Sequence, residues 1–214
     1  MLHVPVLLEE SLDFLLHDLS GTYLDLTFGR GSHSQEILNR ISPQGSLDAV
    51  DRDQEAVSYG KKNIMDSRFT IYHGNYSEID SLFPQQKFDG ILLDLGICST
   101  HLDNPIRGFS FLSDGPLDMR MNAKNPLSAY KVINEYSPEK LQGIFRSYGE
   151  LRIAKKLAFI IVAKRSQSPI KSTQALVAVS YTHLRAHETG RTIVCRLLLE
   201  KKKGGGGGGG GGGG

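Results

Sequence analysis

Cysteine is scarce in this 214-residue chain, occurring only at positions 98 and 195, so a disulfide framework of the kind that staples small secreted domains is excluded. Long apolar runs are missing as well: nothing approaches the roughly eighteen uninterrupted hydrophobic residues of a membrane-spanning helix. The opening MLHVPVLLEE has neither the basic start nor the apolar stretch of a secretory signal. No segment repeats at a fixed period, which argues against solenoids and propellers. Together these absences predict a soluble cytoplasmic protein. What is present is enough for a core, since 39% of the residues are hydrophobic.

A strong charge of either sign is also lacking. The final eleven residues, Gly204–Gly214, are all glycine and cannot bury apolar surface, so they are expected to be disordered. The stretch before them, Ser180–Lys203, reads unlike everything upstream and resembles translated sequencing adaptor, with Lys and Gly from homopolymer codons. Residues 180–214 are therefore expected to be a non-native or disordered tail, natural sequence ending near Val179; a basic helix with a linker is the other reading. Without the six Lys/Arg and two Asp/Glu of that stretch, the 25 basic and 23 acidic residues of the chain become 19 and 21, a net charge of −2. The sequence pI near 8.5 is then no sign of nucleic-acid binding, and any basic surface has to be local. Only Cys98 stays in the body, and one cysteine makes no internal disulfide.

From residue 9 onward the pattern alternates. A short helix is predicted over 9–18. Strands are predicted over 22–28 (TYLDLTF), 46–50, 68–73 and 88–95, with helices over 34–41, 54–65 and 78–83 between them. Strands alternating with helices imply right-handed crossovers and a parallel sheet covered by helices. After Asp94 the pattern changes: residues 96–121 form a loop rich in Gly, Pro and Asp, and a loop of that length in a compact domain usually has a function. Residues 127–179 read as helical, with Pro138 at a helix start and Pro169 separating the last two helices. The expected division is 1–121, a ligand-binding sheet, and 122–179, a helical subdomain inserted behind the fourth strand.

The first strand runs into Asp25-Leu-Thr-Phe-Gly29-Arg-Gly31-Ser32-His33, and the second ends in Asp51. Glycines at a strand-to-helix turn let backbone approach a ligand, and a carboxylate about 20 residues on suits ribose hydroxyls. That much specifies a nucleotide-like ligand. A carboxylate at Asp25 repels the pyrophosphate of a dinucleotide but suits the ammonium and sulfonium of S-adenosyl-L-methionine, which favours a methyl donor. Helix capping is the other role open to Asp25. Tyr76, after the third strand, is placed to pack on adenine or lie near the sulfonium, or else is a core aromatic. His33 is either a ligand contact or structural. Asp94 ends the fourth strand, where a doubly wound sheet faces its ligand, or it satisfies loop amides.

Taken together these stretches resemble the bacterial 16S ribosomal RNA (cytosine-N4) methyltransferases. The matching segments are HVPVLLEE from His3, YLDLTFGRGSHS from Tyr23, DRD from Asp51, RF and HG at Arg68 and His73, DGILLDLGICS from Asp89, RGFSFLSDGPLDMRM from Arg107, RSYGELR from Arg146, and the PIKST turn from Pro169. The DGPLDMRM stretch is the most specific. The resemblance implies a class I, Rossmann-like α/β methyltransferase fold, here an incomplete parallel sheet with a helical subdomain. It also implies S-adenosyl-L-methionine as cofactor and 16S ribosomal RNA in the small ribosomal subunit as partner, with no membrane and no metal. The donor site it implies comprises Gly31, Ser32, His33, Asp51, Tyr76, Asp94 and His101, to which the reading of the turn itself adds Asp25 and Gly29. The chain departs from the family at Ser32, where a second glycine is usual, and at Cys98, Thr100 and His101, where Ser, Pro and Gln are usual. The family fold continues with further strands and a SFHSLEDR-like segment that this sequence lacks.

For the reaction so implied, Asp94 is the expected catalytic acceptor for the amino protons of a cytosine drawn from its stack. Arg107, Phe109 and Arg120 are expected to grip RNA, with the two phenylalanines of that loop alternatively serving as core anchors. Seven basic residues against one acid lie between Arg146 and Lys171, and of these Arg152, Lys155 and Lys156 are the expected phosphate contacts or, alternatively, a solvated helix face. Two other readings stay open: a methyltransferase acting on a small molecule or protein, and a shortened chain with weak or no activity. A dinucleotide dehydrogenase is disfavoured by Asp25.

Overall fold

Alternating apolar residues in four short segments produce a parallel sheet of β1 (Thr22–Asp25), β2 (Ser46–Asp51), β3 (Phe69–His73) and β4 (Gly90–Leu92), in the order β3-β2-β1-β4. The structure is a computed structural model that describes residues 7–183. The chain steps outward from β1 to β3 and then returns to the other side of β1, so the topological switch point lies between β1 and β4. In register, Asp25 sits opposite Ala49 on one side and Leu92 on the other.

Odd and even strand positions go to different layers, as a period of two requires. Tyr23 and Leu47 pack with Leu12 of α1 (Leu8–Leu15) and with Ile37 and Leu38 of α2 (Ser32–Arg40). Ala49 and Ile71 pack under Ala56 and Val57 of α3 (Gln54–Asn63). Leu24, Leu26 and Val50 form a separate cluster with Phe83, which follows a 3-10 turn (Tyr76–Glu78) and the single turn α4 (Ile79–Leu82). Arg40 ties α1 to α2 through Glu9 and Asp13.

Two strands are shorter than their apolar runs suggest. β1 stops at Asp25 because the next residues lead into the glycine turn. β4 stops at Leu92, and Ile91, Leu93 and Leu95 are all exposed. Among the described residues β4 pairs only with β1, so the apolar run from 93 to 95 has no second ladder to hold it as strand.

The chain divides into two compact units, Met1–Cys98 and Ser99–Gly214. The division falls ahead of the long loop, whereas the sequence pattern places it after residue 121, because the loop bonds its backbone to the helices that follow it. Leu117 N–H donates to Lys171 O (3.0 Å), Thr173 N–H to Gly115 O (2.9 Å), and Pro116 bridges to Ser172. The DGPLD stretch and the PIKST turn are therefore two halves of one strap. A Cβ on Gly115 would lie 1.9 Å from Pro105 O, and one on Gly108 (φ +69°) 2.1 Å from Pro116 O, so both positions require glycine. The Asp114 carboxylate accepts from Gln174 N–H, and its bonds with Ser172 and Gln174 hold it below the usual carboxylate range.

Nor is the loop irregular throughout. It contains α5 (Ser99–Asp103) and a 3-10 turn (Pro105–Arg107) capped by Asn104. Beyond it come α6 (Ala129–Glu135), α7 (Pro138–Ser147), α8 (Ala154–Arg165) and α9 (Thr173–His183). Ser128 and Ser137 cap the first two of these, and Pro138 opens α7 as expected. Ala154, Leu157, Ala158 and Ile161 form the buried stripe of α8. Helix α9 runs through Val179 to His183, and the rest of the expected tail, 184–214, lies outside the described residues.

Candidate functional site

Parallel pairing brings the ends of all four strands to one edge, and the chemistry gathers there. Asp25 is 1% exposed. Its Oδ2 accepts from Ser34 Oγ (2.6 Å) and its Oδ1 from Thr27 N–H (3.0 Å). Burial pushes its carboxyl above the usual range, and the nearby Asp51 charge pushes the same way. A carboxyl in these surroundings favours either a proton or a cationic ligand.

The turn after β1 is bent by two left-handed glycines, Gly29 (φ +57°) and Gly31 (φ +74°). Gly31 precedes α2, and a Cβ on it would lie 2.6 Å from the Phe28 ring. Gly29 N–H donates to Asp51 Oδ2 (2.7 Å), while Asp51 Oδ1 accepts from Asp53 N–H (2.8 Å). An amide that a pyrophosphate would need is thus already bonded to a carboxylate. Ser32 opens α2, half-buried, and His33 beside it is buried within electrostatic reach of Asp25. Arg30, the cation inside the turn, lies over the Tyr59 ring at 4.5 Å.

Tyr76 begins the 3-10 turn after β3, partly packed against the Leu24 and Val50 cluster. Asn75 and Glu78 form a capping box that fixes the start of this turn. Asp94 is exposed, and its backbone N–H donates to Thr27 Oγ1 (2.8 Å), so a hydroxyl two residues past β1 holds the chain two residues past β4. Cys98 Sγ lies 3.9 Å from where a Cβ on Gly29 would stand.

The first unit thus brings Asp25, Gly29, Gly31, Ser32, His33, Asp51, Tyr76 and Asp94 to one edge of one sheet. The remaining candidates belong to the second unit. His101 is buried on α5 with its ring stacked on Phe109 (4.9 Å, 23°). Phe109 is 1% exposed, so its ring anchors the loop and is not offered to a nucleotide. Arg107 lies over Phe109 at 5.9 Å and donates to the carbonyls of Arg120 (3.1 Å) and Met121 (3.0 Å). Arg120 pairs with Asp118 (2.6 Å) and donates to the carbonyls of Ala123 and Asn125. Both guanidiniums are engaged in shaping the loop, so the grip on RNA expected of Arg107, Phe109 and Arg120 does not fit this arrangement. Arg152, Lys155 and Lys156, in contrast, are solvent-facing at the start of α8.

Sequence reading missed Thr27 and Ser34, whose hydroxyls order the two aspartates, and Phe159, an exposed ring among the basic residues of α8. Among the described residues, no His, Cys, Asp and Glu cluster is arranged to hold a metal, and no helix is long and apolar enough to cross a membrane.

The chain is 44% identical over 181 residues to the ribosomal RNA small subunit methyltransferase H of Clostridium botulinum (strain Loch Maree / Type A3), covering 83% of this chain and 59% of that protein. The protein of the same name from Caldicellulosiruptor saccharolyticus is 47% identical over 178 residues, 81% of this chain and 58% of its own length. That from Legionella pneumophila (strain Corby) is 46% identical over 182 residues, with 83% and 59% covered. The chain therefore spans about three fifths of the length of these curated relatives. A sequence model described as the MraW methylase family matches residues 1–194, and with the Rossmann-like half-sheet now in view the chain belongs to that family.

Proposed function

We propose that the protein transfers a methyl group from S-adenosyl-L-methionine to the N4 amino group of a cytidine in the 16S ribosomal RNA of the small ribosomal subunit. The observation that carries this reading is the pairing of a buried Asp25, its carboxyl pushed up by burial, with a turn amide already bonded to Asp51. Such a turn is hostile to phosphate and hospitable to a cation. The residues present therefore fit the donor, which when bound supplies an electrophilic methyl on a sulfonium.

Asp25 balances the donor's positive charge at the end of β1, and Asp51 accepts from its ribose hydroxyls. Gly29 and Gly31 let the backbone come close, Ser32 and His33 line the start of α2, and Tyr76 offers an aromatic face to the adenine. His101 acts through the loop it anchors. A cytosine amino group is a weak nucleophile because its lone pair is delocalised into the ring, so it has to be held in line with the scissile bond at about 3–3.5 Å. Asp94 accepts an amino N–H as that lone pair localises, and its negative charge is favourable as positive charge grows on nitrogen. The base leaves its stack to reach such a pocket. The helical part, 122–179, faces the RNA through Arg152, Lys155 and Lys156. Each of these steps uses only side chains and the donor, without a metal ion.

Calorimetry on the whole chain tests the donor half: S-adenosylmethionine and its demethylated product should bind, and a nicotinamide dinucleotide should not. Dinucleotide binding as tight as donor binding would refute the reading. The protein should transfer labelled methyl to small ribosomal subunits.

A further inference from the structure

The basic residues of α8 are arranged around an aromatic ring that nothing above has used. Arg152, Lys155 and Lys156 line a shallow groove with Phe159 and Ile160, and no acidic residue lines it. The helix has already buried its apolar stripe, formed by Ala154, Leu157, Ala158 and Ile161. Phe159 stands off that stripe and is 52% exposed. A large exposed ring is tolerated singly, but here it lies one turn from Lys155 and Lys156, on the side of the helix where the cations are.

From this geometry we propose that the groove is a binding site for single-stranded RNA, in which Phe159 stacks on one unpaired base while Arg152, Lys155 and Lys156 neutralise the flanking phosphates. The proposal rests on the RNA reading above and extends it to a nucleotide other than the methylated one. Cations alone would suit any polyanion, including duplex RNA, whose bases are hidden in their stack. A free aromatic face adds affinity only where a base is unstacked, and it does so without regard to sequence because every base has a π-face. An anionic membrane is the poorer fit: an interfacial helix inserts a continuous apolar face, and that of α8 is buried within its own unit.

The test is fluorescence anisotropy of the whole chain with a labelled, unstructured twelve-nucleotide RNA, with the same strand in a duplex, and with vesicles of mixed neutral and anionic phospholipid. Phe159→Ala should weaken single-strand binding by about 5- to 150-fold, the worth of one base stack. It should leave the duplex affinity, the salt slope and donor binding unchanged. Phe159→Tyr should restore the affinity and Phe159→Leu should not. The Lys155→Ala/Lys156→Ala pair should flatten the logarithmic salt dependence on the single strand by about 1.4. Because the ring is exposed, all of these variants should melt with the parent. Single-strand affinity unchanged in Phe159→Ala, or restored by leucine, would overturn the stacking site and leave the RNA reading standing. A parent chain that binds no RNA would overturn both, with the donor reading judged separately by calorimetry. A dependence on Phe159 for vesicles and not for RNA would assign the groove to lipid.

Discussion

The two units handle charge in opposite ways. At the switch point, Asp25 is sealed from water beside Asp51, and burial together with that neighbouring charge holds its carboxyl above the usual range. On α8 and just ahead of it, Lys155, Lys156 and Arg152 are exposed to solvent. The first arrangement suits a small ligand of fixed shape, because a desolvated charge discriminates strongly and responds little to salt. The second suits a long polyanion, for which reach and counterion release matter more than fit. The difference teaches that burial, more than charge count, separates a pocket from a landing surface in this chain.

Asp25→Asn should break that contrast most severely. Donor affinity should fall by about three orders of magnitude, the roughly 4 kcal/mol of stripping one partner from a buried charge pair, measured by calorimetry. RNA affinity should not move, and an equal loss of both would show that the two regions are not separate sites. Next in size is Gly115→Ala, which drives a Cβ against Pro105 O and should loosen the strap behind the helical unit. A loss of about 3 kcal/mol, or roughly 6–12 °C in melting temperature, is expected, with RNA binding falling more than donor binding. The smallest effect sharpens the electrostatic side. Asp25 has a raised carboxyl pKa in the fold, so its stability contribution is complete below about pH 4 and is lost as pH rises through the folded value. The parent should therefore be less stable than Asp25→Asn at neutral pH without ligand, and the gap in melting temperature should close as pH falls. A gap that widens on acidification would contradict the raised, buried carboxyl.

Much of this layout is legible in the sequence. Period-two runs located β1, β2 and β3, the Gly29–Gly31 turn announced a crossover, and Pro138 and Pro169 marked helix boundaries, because backbone sterics act within a few residues. Asp25 and Asp51 were legible as a pair because each ends a strand. What was not legible depends on contacts far apart in sequence. The Asp51 bond to Gly29 spans 22 residues and the Thr27 bond to Asp94 spans 67, and no local pattern encodes either. The true end of β4 was hidden for a related reason: an apolar run shows that residues want burial, not whether a second strand is there to pair with them. Arg107 and Arg120 looked like hands for a nucleic acid, yet the turn carbonyls beside them are nearer acceptors. Phe159 gave no signal at all, since one aromatic in a helical pattern reads as core until its exposure is known.

The hydroxyl of Thr27 carries a consequence of its own. It joins the turn that follows β1 to the segment that carries Asp94. The ladder between β1 and β4 fixes the register of the two segments, and this contact carries it two residues beyond Leu92, where the ladder has ended.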